Sequence, residues 1–396
     1  MITAKILNDM ELYRHRVLEI YSLLAERSLF LFGPRQTGKS SYVQNQLSGI
    51  PALSYNLLDT RILLRFLARP SILREEIVAK DLRDCVVFID EIQKCPPLLD
   101  EVHLLIEERN IRFLLTGSSD RKLKAVGTNL LGGRARTRYL HPFVFPEVSG
   151  DPDFFNRALL SGFIPAHYLS NSPEEDLRSY VGTYLQEEIA AEGLARNLSA
   201  FSRFLETAST LNAKLINYTN VANDAQVPRP TVRLWFQILY DTMIAYELPS
   251  FTSTFKRKAI STAKFYFFDI GVTRMLRRLP PPLPESSDFG ELFEQYIFLE
   301  LKAYIDYFQP GSRITYWRST SGYEVDFIIN KDIAIEVKTA QLLQERHLTG
   351  LRALREENLI KRFICVCRED RPRWIDGILV LPWQEFLQRL WAKELF

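Results

Sequence analysis

At 396 residues the chain has room for about two or three domains. Its 46% hydrophobic and 25% charged composition is that of a globular protein and excludes a disordered or fibrous one. A net charge of +2 excludes a global attraction to nucleic acid, so any DNA-binding surface has to be local. No apolar run reaches the roughly 18 residues of a membrane span. No basic segment leads into an apolar core and cleavage site at the N-terminus, so no membrane contact and a cytoplasmic location are expected. The 4 cysteines are too few and too badly spaced for a disulfide scaffold, and Cys365-Val366-Cys367 reads as a pair of core residues.

In chain order, residues up to Arg27 form a helical lead-in, with Val17, Ile20, Tyr21 and Leu24 at helical spacing. Ser28-Leu29-Phe30-Leu31-Phe32 is a buried strand. It runs into Gly33-Pro34-Arg35-Gln36-Thr37-Gly38-Lys39-Ser40, which fits the G-x-x-x-x-G-K-[ST] phosphate-binding pattern at every fixed position, and Ser41 onward continues as a helix. Strand, glycine loop and helix in that order separate this motif from a Gly/Pro turn that happens to carry Lys-Ser. The loop from Gly33 to Ser41 is expected to surround ATP phosphates with N–H groups. Lys39 would reach the β- and γ-phosphates, and Ser40 would hold Mg²⁺.

Ala52 to Asn56 reads as a second strand, Leu58 to Ile77 as helix interrupted at Pro70, and Cys85 to Ile89 as a strand ending in Asp90-Glu91. Asp90 is then a second Mg²⁺ ligand and Glu91 the general base that polarises the attacking water. Ile111 to Leu115 is a further strand, ending in Thr116-Gly117-Ser118-Ser119. The hydroxyls of Thr116 and Ser118 would contact the γ-phosphate or lytic water, or serve plain turn chemistry.

These stretches, followed by Gly132-Gly133-Arg134, Leu140-His141-Pro142-Phe143-Val144-Phe145-Pro146-Glu147, Gly162-Phe163-Ile164-Pro165 and Tyr180 to Glu188, resemble a group of prokaryotic AAA-type P-loop ATPases. Its members carry a C-terminal extension long described as of unknown function. The resemblance covers nearly the whole chain. It implies a three-layer α/β ATPase core of AAA/STAND type over residues 1–150, with an extra strand between the phosphate-loop strand and the Asp90 strand. Arg134 and Arg136 would reach a neighbouring subunit's nucleotide in a homo-oligomer, or else pair within their own loop. The chain has Glu187-Glu188 where the group usually has Arg-Asp, which weakens any trans-acting role there.

Residues 151–200 read as a largely helical, polar lid or connector, and 201–285 as a winged-helix domain with a proline linker. In the latter, Thr219 to Ala225 and Thr231 to Met243 are the two helices, with Pro230 at a helix start. Arg229 and Arg233 lie on early turns of the second helix, where such motifs face duplex or branched DNA. Lys256-Arg257-Lys258 and the strand Phe265 to Asp269 would form the wing; packing between domains is the competing use of such a fold. Pro280-Pro281-Pro282-Leu283-Pro284 is a stiff linker.

Residues 286–396 read as helix, three strands, helix, strand, an order that resembles the core of the PD-(D/E)XK nuclease superfamily, a restriction-endonuclease-like α/β fold. The resemblance carries roles onto Glu294 (with Glu291 competing for the helix position), Asp326, Glu336 and Lys338. Asp326 and Glu336 would hold Mg²⁺ for DNA cleavage, and Lys338 would polarise a water. Strand alternation puts Glu336 and Lys338 on one face. The overall expectation is an AAA-type ATPase that binds and hydrolyses ATP with Mg²⁺ and acts on DNA, with winged-helix DNA binding and a C-terminal domain in which metal-dependent DNA cleavage and binding alone both stay open. The alternative is an ATP-controlled oligomerisation or signalling switch whose C-terminal domain only binds.

Overall fold

The computed structural model describes residues 13–119, 123, 130–184, 197–284 and 286–396. They fall into two compact units, one ending at Phe143 and taking in Asp241–Met243, the other formed by Val144–Tyr240 and Ile244–Phe396.

The first unit is built on a 5-stranded sheet in the order β2-β3-β4-β1-β5. The strands are β1 (Ser28–Phe32), β2 (Pro51–Asn56), β3 (Val86–Asp90), β4 (Arg112–Gly117) and β5 (Ala135–Tyr139), all parallel. Parallel sheets are covered on both faces, so their central strands are apolar without interruption. β1 is accordingly buried along its whole length. Alternation sends Phe30 and Phe32, Val87 and Ile89, and Phe113 and Leu115 into one hydrophobic cluster.

Helices α1 (Lys39–Gln46), α2 (Thr60–Ala68), α3 (Ile72–Ala79) and α4 (Leu98–Arg109) connect the strands. Asp59 starts α2 by accepting the Arg61 N–H, and Pro70 separates α2 from α3 because it cannot continue a helix. The strand order fulfils the expectation of an inserted strand. β4 lies between β1 and β3, with Leu31 opposite Thr116 and Ile89 opposite Leu115. The C-terminal ends of β1, β3 and β4 therefore open side by side.

The second unit begins with α5 (Phe154–Ser161) and α6 (Pro173–Ser179). Helices α7 (Leu198–Ser209), α8 (Tyr218–Ala225) and α9 (Arg229–Asp241) follow, with a 3-stranded antiparallel sheet of β6 (Lys214–Leu215), β7 (Ala245–Leu248) and β8 (Lys264–Phe267). After α10 (Ile270–Leu276), the long α11 (Ser287–Phe308) leads into a 6-stranded sheet ordered β13-β14-β12-β11-β10-β9. Its strands are β9 (Ile314–Arg318), β10 (Glu324–Ile329), β11 (Ile333–Val337), β12 (Arg362–Cys367), β13 (Arg373–Ile375) and β14 (Ile378–Pro382), covered by α12 (Thr349–Arg355) and α13 (Trp383–Trp391). Cys365 and Cys367 are buried free thiols in β12, as their apolar setting implies.

Two stretches differ from the sequence reading. The segment read as a polar connector contributes to the core. Phe155 packs its ring against Phe289, Phe293, Tyr296 and Trp383, and Leu177 and Tyr180 join the cluster around α7 and α9. Its apolar residues come in pairs and as single large rings rather than as a helical stripe, so periodicity does not reveal them. The basic run Lys256-Arg257-Lys258 is not a strand of a free wing. It lies in the connection between β7 and β8, which follows the edge of the six-stranded sheet: the Phe251 N–H donates to Tyr316 O (2.6 Å) and the Ile260 N–H to Arg318 O (2.8 Å). The Glu357 carboxylate accepts the backbone N–H groups of Phe255, Lys256 and Arg257 at 2.8, 2.8 and 3.0 Å. A buried carboxylate collecting three donors holds the run more firmly than a solvated hairpin would.

Gly162 and Asp269 form a close junction in this unit. Asp269 is fully buried and accepts the Phe163 N–H (2.6 Å) and the Val272 N–H (3.0 Å). Gly162 has φ +70°, and a Cβ there would lie 2.0 Å from Asp269 Oδ1. Gly162→Ala is expected to destabilise the protein by about 1–3 kcal/mol, read as a lower denaturant midpoint. Burial raises the Asp269 carboxyl to about 6. The folded state then holds this proton more tightly than the unfolded chain does. The stabilisation is full below the ordinary value of 3.8 and is lost as pH rises through about 6. Urea unfolding at stepped pH should show that slope in the native protein and a shallower one in Asp269→Asn, since Glu294, Glu300 and Glu336, raised by burial to about 7, 8 and 8, keep their own part of it.

Candidate functional site

The phosphate-binding loop leaves β1 and enters α1 in the first unit. Gly33 permits the close approach: a Cβ there would stand 2.4 Å from Leu140 O, backbone that cannot give way. Lys39 is buried, and its Nζ donates to the carbonyls of Gly33 (2.7 Å) and Pro34 (2.9 Å), so the ammonium lies curled over the loop. The Thr37 hydroxyl donates to Pro34 O at 2.8 Å. Gln36, Ser40 and Ser41 are exposed, Arg35 and Gly38 partly so, and Pro34 is buried. Arg16 braces the loop through backbone carbonyls. Its guanidinium donates to Thr37 O (2.9 Å), His141 O (2.6 Å) and Pro142 O (3.2 Å). Sequence reasoning passed over Arg16, because a lone arginine far from its partners carries no spacing signal.

The acidic pair meets the loop at the strand ends. Asp90 Oδ2 accepts the Ser40 hydroxyl at 2.9 Å, and its other oxygen accepts the Thr116 hydroxyl. One carboxylate thus joins the ends of β3, β4 and the loop after β1. Glu91 is buried with φ +60°, a left-handed conformation that a non-glycine residue adopts only when its surroundings hold it there. The Gln93 side-chain amide donates to the Glu91 carboxylate and to the Ser118 hydroxyl (3.2 Å), bringing Ser118 into the same constellation. Gln93 was missed as well. Its position two residues past the acidic pair marks it only once the turn geometry is known. Hydroxyl and carboxylate oxygens are the donors that Mg²⁺ prefers, so Ser40 and Asp90 fit that ion. Arg134 pairs with Glu107, and Arg136 with Glu26 at 2.7 Å. Glu187 and Glu188 lie outside the described residues.

The second unit gathers Glu294 from α11, Asp326 from β10, Glu336 from β11 and Lys338 just beyond it. Asp326 Oδ2 accepts the Val337 N–H at 2.8 Å, and Lys338 Nζ lies 2.5 Å from Glu336 Oε1, as the strand alternation requires. Glu291, the competing helix residue, instead pairs with Arg277 (2.8 Å) and Lys214 (2.7 Å). At the centre of the group stands a residue that sequence reasoning did not single out. Lys264 Nζ lies 3.0 Å from Glu294, 2.6 Å from Glu324 and 3.6 Å from Asp326. The Tyr266 hydroxyl donates to Glu294 at 2.6 Å. Lys264 and Tyr266 share one face of β8 by simple alternation. The sequence reading starts this strand at Phe265, which leaves the lysine out.

Burial pushes Glu294 up to about 7 and Glu336 up to about 8, with Asp326 adding repulsion and the lysines opposing. Burial alone would lower Lys264, but Glu294, Tyr266, Asp326 and Glu324 outweigh it and hold the ammonium well above its ordinary range. A divalent cation needs oxygens at about 2.0–2.6 Å with no cation among them. The Lys264 ammonium stands among the oxygens of Glu294, Glu324 and Asp326, and these three residues do not fit Mg²⁺ beside it; Glu336 has Lys338 as its neighbour instead. Among the described residues no group of three or more His, Cys, Asp or Glu is placed to hold a metal ion.

Of the basic residues, Arg229 and Arg233 are exposed on the first turns of α9, and the Arg233 guanidinium lies 5.2 Å from the Tyr218 ring centroid. Lys256 and Lys258 are exposed, whereas Arg257 is engaged by Glu356 (2.7 Å), Ala353 O (3.0 Å) and the Tyr323 ring.

Residues 25–149 match the AAA domain family. The chain carries an AAA-type P-loop ATPase domain. Residues 153–283 match the domain of unknown function DUF8612, and 289–386 the domain of unknown function DUF4143. No curated protein matches the sequence. Among solved structures, the Aeropyrum pernix Orc1 protein in complex with DNA aligns at 13% identity over 67% of this chain and 94% of that one, with a TM-score of 0.26. Can2 from Sulfobacillus thermosulfidooxidans in complex with cyclic tetra-adenylate aligns at 9% identity over 93% and 99%, with a TM-score of 0.23. Likenesses at these scores do not establish a common arrangement. No helix among the described residues is long and apolar enough to cross a membrane.

Arg16→Ala would strip the hydrogen bonds from the carbonyls under the phosphate-binding loop of the AAA domain, at about 1–3 kcal/mol. The expected result is a lower melting temperature and nucleotide affinity weakened about tenfold or more, measured by titration with a fluorescent ATP analogue.

Proposed function

We propose that the chain is a Mg²⁺-dependent ATPase that acts on DNA. The observation that carries the reading is the Asp90 junction, with Ser40 and Thr116 on one carboxylate beside a Glu91 held by Gln93, inside an AAA domain. In this reading the N–H groups of Gly33 to Ser41 bind the phosphates, and Lys39 neutralises the β- and γ-oxygens. Ser40 and Asp90 would hold Mg²⁺, which would supply positive charge to the phosphates, and Thr116 orients Asp90. Glu91 takes the proton of the attacking water, and Gln93 fixes the carboxylate for that task.

Glu91→Gln is expected to keep ATP binding and to lower turnover about 10²-fold or more, because an amide cannot accept the proton. Lys39→Ala is expected to lose nucleotide binding itself. Steady-state hydrolysis together with equilibrium nucleotide binding checks both, and equal turnover in native protein and Glu91→Gln would remove Glu91 from the mechanism.

The DNA-directed part rests on α8 and α9 with the antiparallel sheet β6-β8-β7, read as a winged helix with Arg229 and Arg233 facing a duplex or branched substrate, and on the exposed Lys256 and Lys258 of the β7–β8 connection. Arg257 is left out of that surface because of its pairing with Glu356. Affinity should fall steeply with salt, and Arg229→Glu with Arg233→Glu should lower the log–log salt slope by about 1 per lost phosphate contact. An unchanged slope in a filter-binding series would take α9 off the DNA.

Residues 286–396 are read as a restriction-endonuclease-like domain on the strength of Glu294, Asp326, Glu336 and Lys338 meeting at one place. The presence of Lys264 favours the second reading of the domain, a binding module within an ATP-controlled switch or homo-oligomer, over a cleaving one.

A further inference from the structure

We propose that Lys264 is an internal stand-in for the divalent cation at the acid cluster of the second unit, so that these carboxylates form a closed, metal-free set. This inference goes beyond the ATPase reading and does not depend on it.

Three carboxylates from two elements converge on one ammonium: Glu294 from α11, Glu324 and Asp326 from β10. The lysine is 2% exposed, so water does not share the task of compensating them. Its backbone is fixed in the central strand of the small sheet, with Leu215 opposite on one side and Leu248 on the other, so the side chain cannot be withdrawn by a loop movement. Its ammonium also stands 5.5 Å from the Tyr316 ring centroid, a contact that suits a cation and holds it over the strand pair β9–β10.

The fourth acid stands apart: Glu336 pairs with Lys338 through Oε1 at 2.5 Å, while its Oε2 is buried without a hydrogen-bond partner, so the closed set is that of Glu294, Glu324 and Asp326. Lys264 thus supplies positive charge and directed N–H donors where a metal site would supply a dication. A metal entering among Glu294, Glu324 and Asp326 would stand within a few ångströms of the Lys264 ammonium. Two like charges in a buried site repel strongly, because little solvent screens them. The carboxylates are therefore not available to a second cation while Lys264 is present. The chemical consequence is a domain that keeps the residue set of a metal-dependent phosphodiesterase with Glu294, Glu324 and Asp326 closed to the metal.

Mn²⁺ titration of the nucleotide-free full chain, followed by electron paramagnetic resonance of the free ion, tests this. The AAA domain is common to all arms, so its own Mn²⁺ binding cancels. Asp326→Asn alone should leave the titration of the native chain unchanged. Lys264→Met, which keeps the apolar stem, should gain one Mn²⁺ per chain at least tenfold tighter than any the native chain binds at this cluster. The gain should vanish in the double variant Lys264→Met with Asp326→Asn. A Lys264→Met protein that folds only with Mn²⁺ present, followed by circular dichroism, also supports the inference. Loss of a native Mn²⁺ site in Asp326→Asn overturns it, and so does a folded Lys264→Met that gains none. ATP turnover, assayed alongside, reports the other site separately.

Discussion

Much of the first unit depends on one carboxylate. Asp90 ends β3, and its two oxygens accept hydroxyls from Ser40, at the start of α1, and Thr116, near the end of β4. A parallel sheet delivers all its strand ends to one edge, and the order β3-β4-β1 sets the distance across that edge. Without the intervening β4, Thr116 would be absent and the loop would lie one strand nearer. The acid is therefore useful because the topology separates it from the loop by one strand and then fills the gap with a hydroxyl.

The loop itself is fixed in two ways. Gly33 lets Leu140 O approach to a distance no side chain allows, and Arg16 reaches the carbonyls of Thr37, His141 and Pro142. The segment Leu140 to Pro142 is thus part of the loop's support. This is a physical account of why Leu-His-Pro-Phe accompanies the phosphate-binding loop in one chain: its backbone, more than its side chains, is used.

The second unit handles charge differently. Its core holds several ionisable groups out of water, and four of the carboxylates are matched locally. Asp269 is matched by backbone N–H groups, Glu357 by three N–H groups of the basic connection, and Glu294 by Lys264 and Tyr266. Glu300 accepts the Phe145 N–H (2.9 Å) and the Trp391 indole N–H (2.7 Å). Buried polar groups are tolerable only when paired in this way. The pairings tie together segments that are distant in sequence, and they explain why the connector region and the basic connection belong to the body of the unit.

By itself the sequence determined what is local. The phosphate-binding loop, the strand ending in Asp90-Glu91, the breaks at Pro70 and around Pro280 to Pro282, and the shared face of Glu336 and Lys338 all follow from short spacing rules, because each rests on residues within a turn or a strand of one another. The inserted strand between β1 and β3 came from the family resemblance, and the sheet order agrees with it. Tertiary structure alone decided the rest. Arg16 and Gln93 acquire roles only from the backbone they reach. The docking of Lys256-Arg257-Lys258 depends on a glutamate about a hundred residues away. Lys264 reads as an ordinary strand residue until the strands fold, and it becomes the centre of an acid cluster because β8, α11 and β10 bring their charges to one buried point. A buried cation's meaning lies in its neighbours, and those neighbours are set by packing across the fold.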